Sequence, residues 1–214
     1  MKLPYEINIV EKNNEVSTTI NKSTFIAQVY PVSYESEVKE FLSEAKKKYY
    51  NASHHCYALK FADGYFRYSD AGEPNGTAGI RIFNAIEHFQ LSNQLIIVSR
   101  IFGGVKLGVG PLGKAYYESA FNVIENSKIT NKQLFQRATI LTEYEKLNLI
   151  QRILANHNSI IIQSDFKEKI KLSCLLQAKN LEAISKKIYK TDKDSANLTL
   201  HDDLVYEISA TGRN

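Results

Sequence analysis

Apolar and polar residues fall into short runs of two periods. Residues 23–32, STFIAQVYPV, alternate and carry β-branched side chains, which predicts a strand limited by Pro31. SYESEVKEFLSEAKKKYY follows with Val38, Phe41, Leu42 and Ala45 at helical spacing. Ser33 or Ser36 is its expected N-cap. Acids load its first turns and lysines its last, as the helix dipole favours. HHCYALKF and YFRYSD, joined at Asp63-Gly64, predict a hairpin. GTAGIRIFNAIEHFQ predicts a helix with a loose start and QLIIVSRIF a buried strand. GPLGKAYYESAFNVIENS predicts a third helix with Pro111 in its first turn, where the missing N–H costs nothing.

Past residue 130 the pattern changes. QLFQRATILTE, YEKLNLIQRILANH, SIIIQSD, KEKIKLSCLLQ, NLEAISKKIYK and NLTLHDDLVYEI read β-α-β-β-α-β, the split, ferredoxin-like order. Leu147, Ile150, Ile153 and Leu154 form one apolar stripe of its first helix. The expected architecture is α+β in two domains, residues 1–130 and 131–214. The polar segment NSKITNK (126–132) is their expected linker, and the second domain is one sheet with helices on one face and the other face open.

The chain has 214 residues, enough to bury a real core. No apolar run is long enough to span a membrane, and the N-terminus lacks the apolar region of a signal peptide. Two distant cysteines, Cys56 and Cys174, do not indicate a disulfide scaffold, so a reducing cytoplasm is expected. The net charge of +4 permits a nucleic-acid partner without requiring one.

Nine of the ten glycines lie between Gly64 and Gly113, and five of them crowd SRIFGGVKLGVGPLGKAY (99–116). Its GVGPLG matches G-x-G-x-x-G, but no acid closes a following parallel strand, so a dinucleotide fingerprint is not indicated. A Walker A motif is absent. The competing readings are a tight turn and an anion site. In the second, Gly103-Gly104 turn the chain out of the preceding strand and Gly108 and Gly110 expose backbone N–H groups at a helix start, with Arg100, Lys106 and Lys114 as flanking cations.

YSDAGEPNGTAG (68–79) is a stiff turn carrying Asp70 and Glu73, candidates for a cation or for acid–base work, although acid-rich turns are common. His54 and Cys56 share a strand face, yet no second ligand pair stands at metal spacing, so no metal and no cofactor is expected. A Cys–His catalytic pair lacks an orienting third group. In the second domain Lys167, Lys169 and Lys171 alternate, as on one face of a strand. Ile170, Leu172 and Cys174 would face the core, which makes the lysines a candidate nucleic-acid face. A solvated face, or edge protection by lysine, is the competing reading.

These segments together resemble the IMPACT/YigZ family. Its pattern of H-x-C-Y-A, then D-D-G-E-P-x-G-T-A-G, then R-Y-F-G-G-x-K-L-G-x-G-G-L-x-R-A-Y stands here as HHCYA (54–58, matched from His54), SDAGEPNGTAG (69–79) and RIFGGVKLGVGPLGKAY (100–116). Ala71 replaces the second acid of the loop, Ile101 an aromatic, Pro111 a glycine and Lys114 an arginine. The loss at Ala71 weakens any paired-acid role. The resemblance implies a first domain like the second domain of ribosomal protein S5 and domain IV of elongation factor G, and a second like domain V of that factor. It implies little chemistry. Eukaryotic relatives modulate translation by binding the scaffold that activates an amino-acid-starvation kinase, and bacterial ones are suspected of binding nucleic acid or ribosomes.

The leading expectation is a cytoplasmic binding protein associated with RNA or the ribosome and linked to translation. Its site would be an anion cleft of Arg100, Gly103, Gly104, Lys106, Gly108, Gly110, Lys114, Asp70, Glu73 and His54. The alternatives are an enzyme acting on a phosphorylated or peptide substrate in that cleft, and a protein–protein regulator. No nucleophile–base–orienter set is evident, so catalysis ranks below binding, and no membrane partner is expected.

Overall fold

Strand β1 (Glu6–Val10) is followed by β2 (Asn14–Ile20) and β3 (Ser23–Pro31), which form a hairpin over the left-handed pair Asn21 and Lys22. Helix α1 (Glu35–Lys48), β4 (His54–Lys60), β5 (Phe66–Ser69), helix α2 (Gly79–His88), β6 (Gln94–Ile101) and helix α3 (Val109–Glu125) complete a first unit. A computed structural model describes residues 3–191 and 197–208, so the outermost ends of the expected domains lie outside the described residues. Contacts divide the described residues into two compact units, one of residues 3 and 7–130 and one of residues 4–6, 131–191 and 197–208.

The first unit is built on an antiparallel sheet of order β2-β3-β6-β4-β5. Helices cover both of its faces. Phe25, Ala27, Val29, Cys56, Ala58, Ile96 and Val98 pack with Ile82, Ile86, Tyr116 and Val123 of α2 and α3. Tyr30, Leu59, Leu95 and Ile97 pack with Val38 and Ala45 of α1. This explains why β3 and β6 are buried almost end to end although β3 alternates in sequence. Neither expected serine caps α1. Its N-cap is Tyr34, and the Glu37 carboxylate accepts the N–H groups of Ser33 and Tyr34.

The second unit contains β7 (Ile129–Thr142), α4 (Leu147–Asn156), β8 (Ile160–Phe166), β9 (Ile170–Gln177), α5 (Leu181–Thr191) and β10 (Asn197–Glu207). Its strands pair antiparallel in the order β8-β9-β7-β10. Ala138, Ile140, Leu172, Cys174 and Leu176 pack against Ile150, Ile153, Leu154, Ile184 and Ile188 of the two helices. The segment 126–132, expected as a linker, is strand from Ile129 onward. Only Asn126–Lys128 lie between α3 and β7.

Candidate functional site

Register places three residues of the sequence motifs in one cross-strand row. Phe25 of β3 pairs with Arg100 of β6, which pairs with His54 of β4. Over this row lies the loop 70–78. Glu73 turns inward, and its Oε1 accepts from Arg100 Nη1 at 2.8 Å and from the Tyr116 hydroxyl of α3 at 2.8 Å. Arg100 Nη2 also donates to Ser23 Oγ, which accepts the Gly103 N–H as well. The guanidinium lies 5.4 Å from the ring centres of both Phe25 and Phe102. His54 Nδ1 is 2.9 Å from the Ala71 carbonyl, so that nitrogen carries the proton, and Nε2 is 3.9 Å from Glu73 Oε2.

Asp70 has a different task. Its carboxylate accepts the N–H groups of Gly76, Ala78 and Gly79, the otherwise unpaired donors where α2 begins. Burial pushes its carboxyl up, but those three donors outweigh burial and hold it below the usual carboxylate range. A side chain at Gly79 would stand 2.8 Å from the Ser69 backbone, so only glycine lets α2 start this close to β5.

Arg100, Glu73, Asp70 and His54 therefore do not form the walls of an open cleft. Arg100 and Glu73 are buried and neutralise one another, and Asp70 is spent on the start of α2. Together they brace the loop against the sheet.

The exposed part of the glycine-rich stretch is another matter. Gly103 is packed so tightly that an added Cβ would stand 1.9 Å from the Lys22 carbonyl oxygen, whereas Gly104, Gly108 and Gly110 face open space. Lys106 is exposed and has no ion-pair partner among the described residues. Phe102, Val105 and Val109 are exposed beside it. Behind this loop the first turns of α3 and the side of α2 form a groove of about 270 Å³ lined by Arg81, Asn84, Gly110, Gly113, Lys114 and Tyr117. Arg81, Asn84 and Tyr117 were not singled out from the sequence. The available signal was Gly113, a glycine inside a helix, which marks a close approach: its Cβ would meet Arg81 Nε at 3.2 Å.

The thiols are not poised for reaction. Burial pushes Cys56 up to about 12, and its Sγ donates to the Asp70 carbonyl at 2.9 Å. Burial likewise pushes Cys174 up to about 12 and raises the Tyr116 phenol. Burial, with Lys46 and His54 nearby, lowers His55, whose Nδ1 shares a hydrogen bond with Ser99 Oγ. Among the described residues no three His, Cys, Asp or Glu side chains are grouped to hold a metal ion.

The three lysines of the second unit do not share a strand face. Lys167 and Lys169 occupy the turn between β8 and β9, where the Lys167 N–H bonds the Lys169 carbonyl, and Lys169 pairs with Glu143 at 2.8 Å. Lys171 alone stands in β9, exposed. The alternation inferred from the sequence breaks because the turn occupies two of the three positions.

The chain is thus α+β, with two sheets and a loop braced over a histidine–arginine row. Residues 21–124 match the Impact N-terminal domain. Over 209 residues the chain is 28% identical to IMPACT family member YvyE of Bacillus subtilis, covering 94% of this chain and 96% of that one. Over 188 residues it is 31% identical to an IMPACT family member of Haemophilus influenzae, covering 85% and 89%. A crystal structure of a hypothetical protein superimposes with a TM-score of 0.65 at 26% identity, covering 94% of this chain and all of the other. The chain belongs to the IMPACT family.

Proposed function

We propose that the protein binds RNA or the ribosome in the cytoplasm, in a role linked to translation, and that the α2–α3 groove takes the phosphate backbone. The observation that carries this reading is the pairing of Arg81 and Lys114 across a glycine-faced wall at the start of α3. There the helix N-terminus adds partial positive charge, and the absence of a Cβ lets a phosphate approach. Lys106, Gly108 and Gly110 extend the same surface. Lys114 is also 3.5 Å from Glu118, a solvent-exposed pair that a phosphate can displace. Membership in the IMPACT family supports the translation link. On this reading residues 1–130 and 131–214 are separate domains, like the second domain of ribosomal protein S5 and domain V of elongation factor G.

A binding role fits the brace better than catalysis does. Its ionisable groups neutralise each other, and its one thiol is held protonated by burial. One observation favours a second reading as a protein–protein regulator: Phe102, Val105 and Val109 expose apolar surface on the same loop.

The test is RNA binding by the full chain across salt concentrations, comparing wild type with Arg81→Gln/Lys114→Gln. Each lost phosphate contact is expected to flatten the log–log salt slope by about 0.7. An unchanged slope and affinity in the folded double variant would overturn the groove as the phosphate site. A protein partner captured by wild type and lost on Val105→Asp, with no RNA bound, would favour the second reading.

A further inference from the structure

The open sheet face of the second unit holds a hollow of about 250 Å³ lined by Arg137, Thr139, Ile162, Ser173, His201 and Asp203, together with Ala138 and Cys174. Arg137, Thr139 and Ser173 alternate with Ala138, Ile140, Leu172 and Cys174, whose side chains pack under the helices, so the three polar residues point away from the core.

Two β-bulges frame this hollow from opposite sides. In β8 the register slips between Ile161 and Gln163, which sets Ile162 out of the ladder opposite Ser173 and Cys174. In β10 it slips between Leu200 and Leu204, which frees His201, Asp202 and Asp203 opposite Gln136–Ala138. Bulges re-aim side chains, and here two of them at one level of the sheet turn their extra residues toward the same space. His201 is held in place: its Nε2 shares a 2.9 Å hydrogen bond with Thr139 Oγ1, and its carbonyl accepts from Gln136 Nε2 at 2.9 Å.

The charges in the hollow are what define its ligand. Arg137 and Asp203 line the same space, yet among the described residues neither side chain has an ion-pair or hydrogen-bond partner, and they do not pair with each other. A cation and an anion held apart in a small hollow are complementary to a ligand that carries both signs a short distance apart. A dianion such as a phosphate would face Asp203 unfavourably. A bare cation would face Arg137. The hydroxyls of Thr139 and Ser173 supply further polar partners, and Ile162, half exposed, is an aliphatic wall. The volume lies just below the roughly 300–1,000 Å³ typical of sites for larger organic ligands.

We propose that this hollow binds a free aliphatic α-amino acid, with the carboxylate on Arg137, the ammonium on Asp203 and the side chain against Ile162. The site belongs to the second unit alone and does not depend on the RNA reading of the α2–α3 groove.

The test is an amide-resolved NMR titration of the full chain with L-leucine to roughly 10 mM, with leucinamide, N-acetyl-leucine, inorganic phosphate and AMP as comparisons. L-Leucine is expected to shift the amides of 137–139, 172–174 and 200–204. Leucinamide, which lacks the carboxylate, and N-acetyl-leucine, which lacks the ammonium, are each expected to bind at least about tenfold more weakly. Arg137→Gln should weaken leucine by a similar factor while leaving leucinamide unchanged. Asp203→Asn should do the same with N-acetyl-leucine as the insensitive ligand. Both residues are exposed, and unshifted resonances elsewhere establish that each variant is folded. No shift at these amides, undiminished leucine binding by the two variants, or phosphate or AMP binding here more tightly than leucine would overturn the proposal.

Discussion

Arg100 Nη1 donates to Glu73 Oε1 across 2.8 Å, with only 6% and 4% of the two side chains exposed. That single pair ties the end of β6 to the middle of the loop that leads into α2. The Tyr116 hydroxyl, donating to the same oxygen, ties both to α3. Three elements that meet nowhere in sequence are held by one carboxylate.

Glu73→Gln should therefore be severe. It leaves a guanidinium buried without a counter-charge, for which a cost of about 3–5 kcal/mol is expected. Tyr116→Phe removes one hydrogen bond to the same oxygen and should cost only about 1–2 kcal/mol. Urea unfolding of the two variants checks the ranking. Equal effects would mean that the charge pair is not what matters.

The two adjacent glycines at the end of β6 should respond differently. Gly103→Ala forces a methyl group into the Lys22 carbonyl, so the β2–β3 turn must move and a loss of at least about 3 kcal/mol is expected. Gly104 has a φ of 83° but open space, so Gly104→Ala should cost about 1–2 kcal/mol from backbone strain alone. Thermal unfolding of the pair reads the difference.

The buried thiols make stability fall on the alkaline side. Below pH 9 both folded and unfolded chains keep the thiol protons, and Cys56 and Cys174 add no pH dependence. Above pH 9 the unfolded chain releases them, while the folded chain holds them to about pH 12, so the unfolded state gains. The expected loss is up to about 1.4 kcal/mol per pH unit for each thiol. Urea midpoints between pH 8 and 10 should fall more steeply for wild type than for Cys56→Ala/Cys174→Ala. Iodoacetamide at pH 8 should label neither thiol until the chain unfolds.

Ala71 sits at φ 45°, a left-handed conformation that alanine tolerates poorly, where the family resemblance places an acid. Ala71→Asn should stabilise the protein by about 0.5–1 kcal/mol, because asparagine adopts this conformation more readily. A lower melting temperature in that variant would show that the methyl group, rather than the backbone, sets the preference.

The periods of the chain located most elements because each rests on local geometry. The apolar stripe of α1, the β3 strand ended by Pro31 and the βαββαβ order of the second unit are all patterns within a few residues. The family motifs were legible for the same reason, since they are continuous strings.

The site residues divide along another line. The identities of Arg100, Glu73 and Tyr116 stood in the motifs, but their roles did not, and Arg81, Asn84 and Tyr117 stood outside them. Arg100 and Glu73 are 27 residues apart, and Tyr116 and Glu73 are 43 apart. Whether those charges face a ligand or each other depends on strand register and on how closely α3 approaches the sheet. Arg81 and Lys114 came together only because Gly113 lets α2 and α3 close up. Local sequence determined which segments are helix and strand, because hydrogen bonding and side-chain period act over a few residues. Tertiary structure decided which charges are spent and which stay free, because pairing energy depends on distances and burial that exist only once the layers have packed.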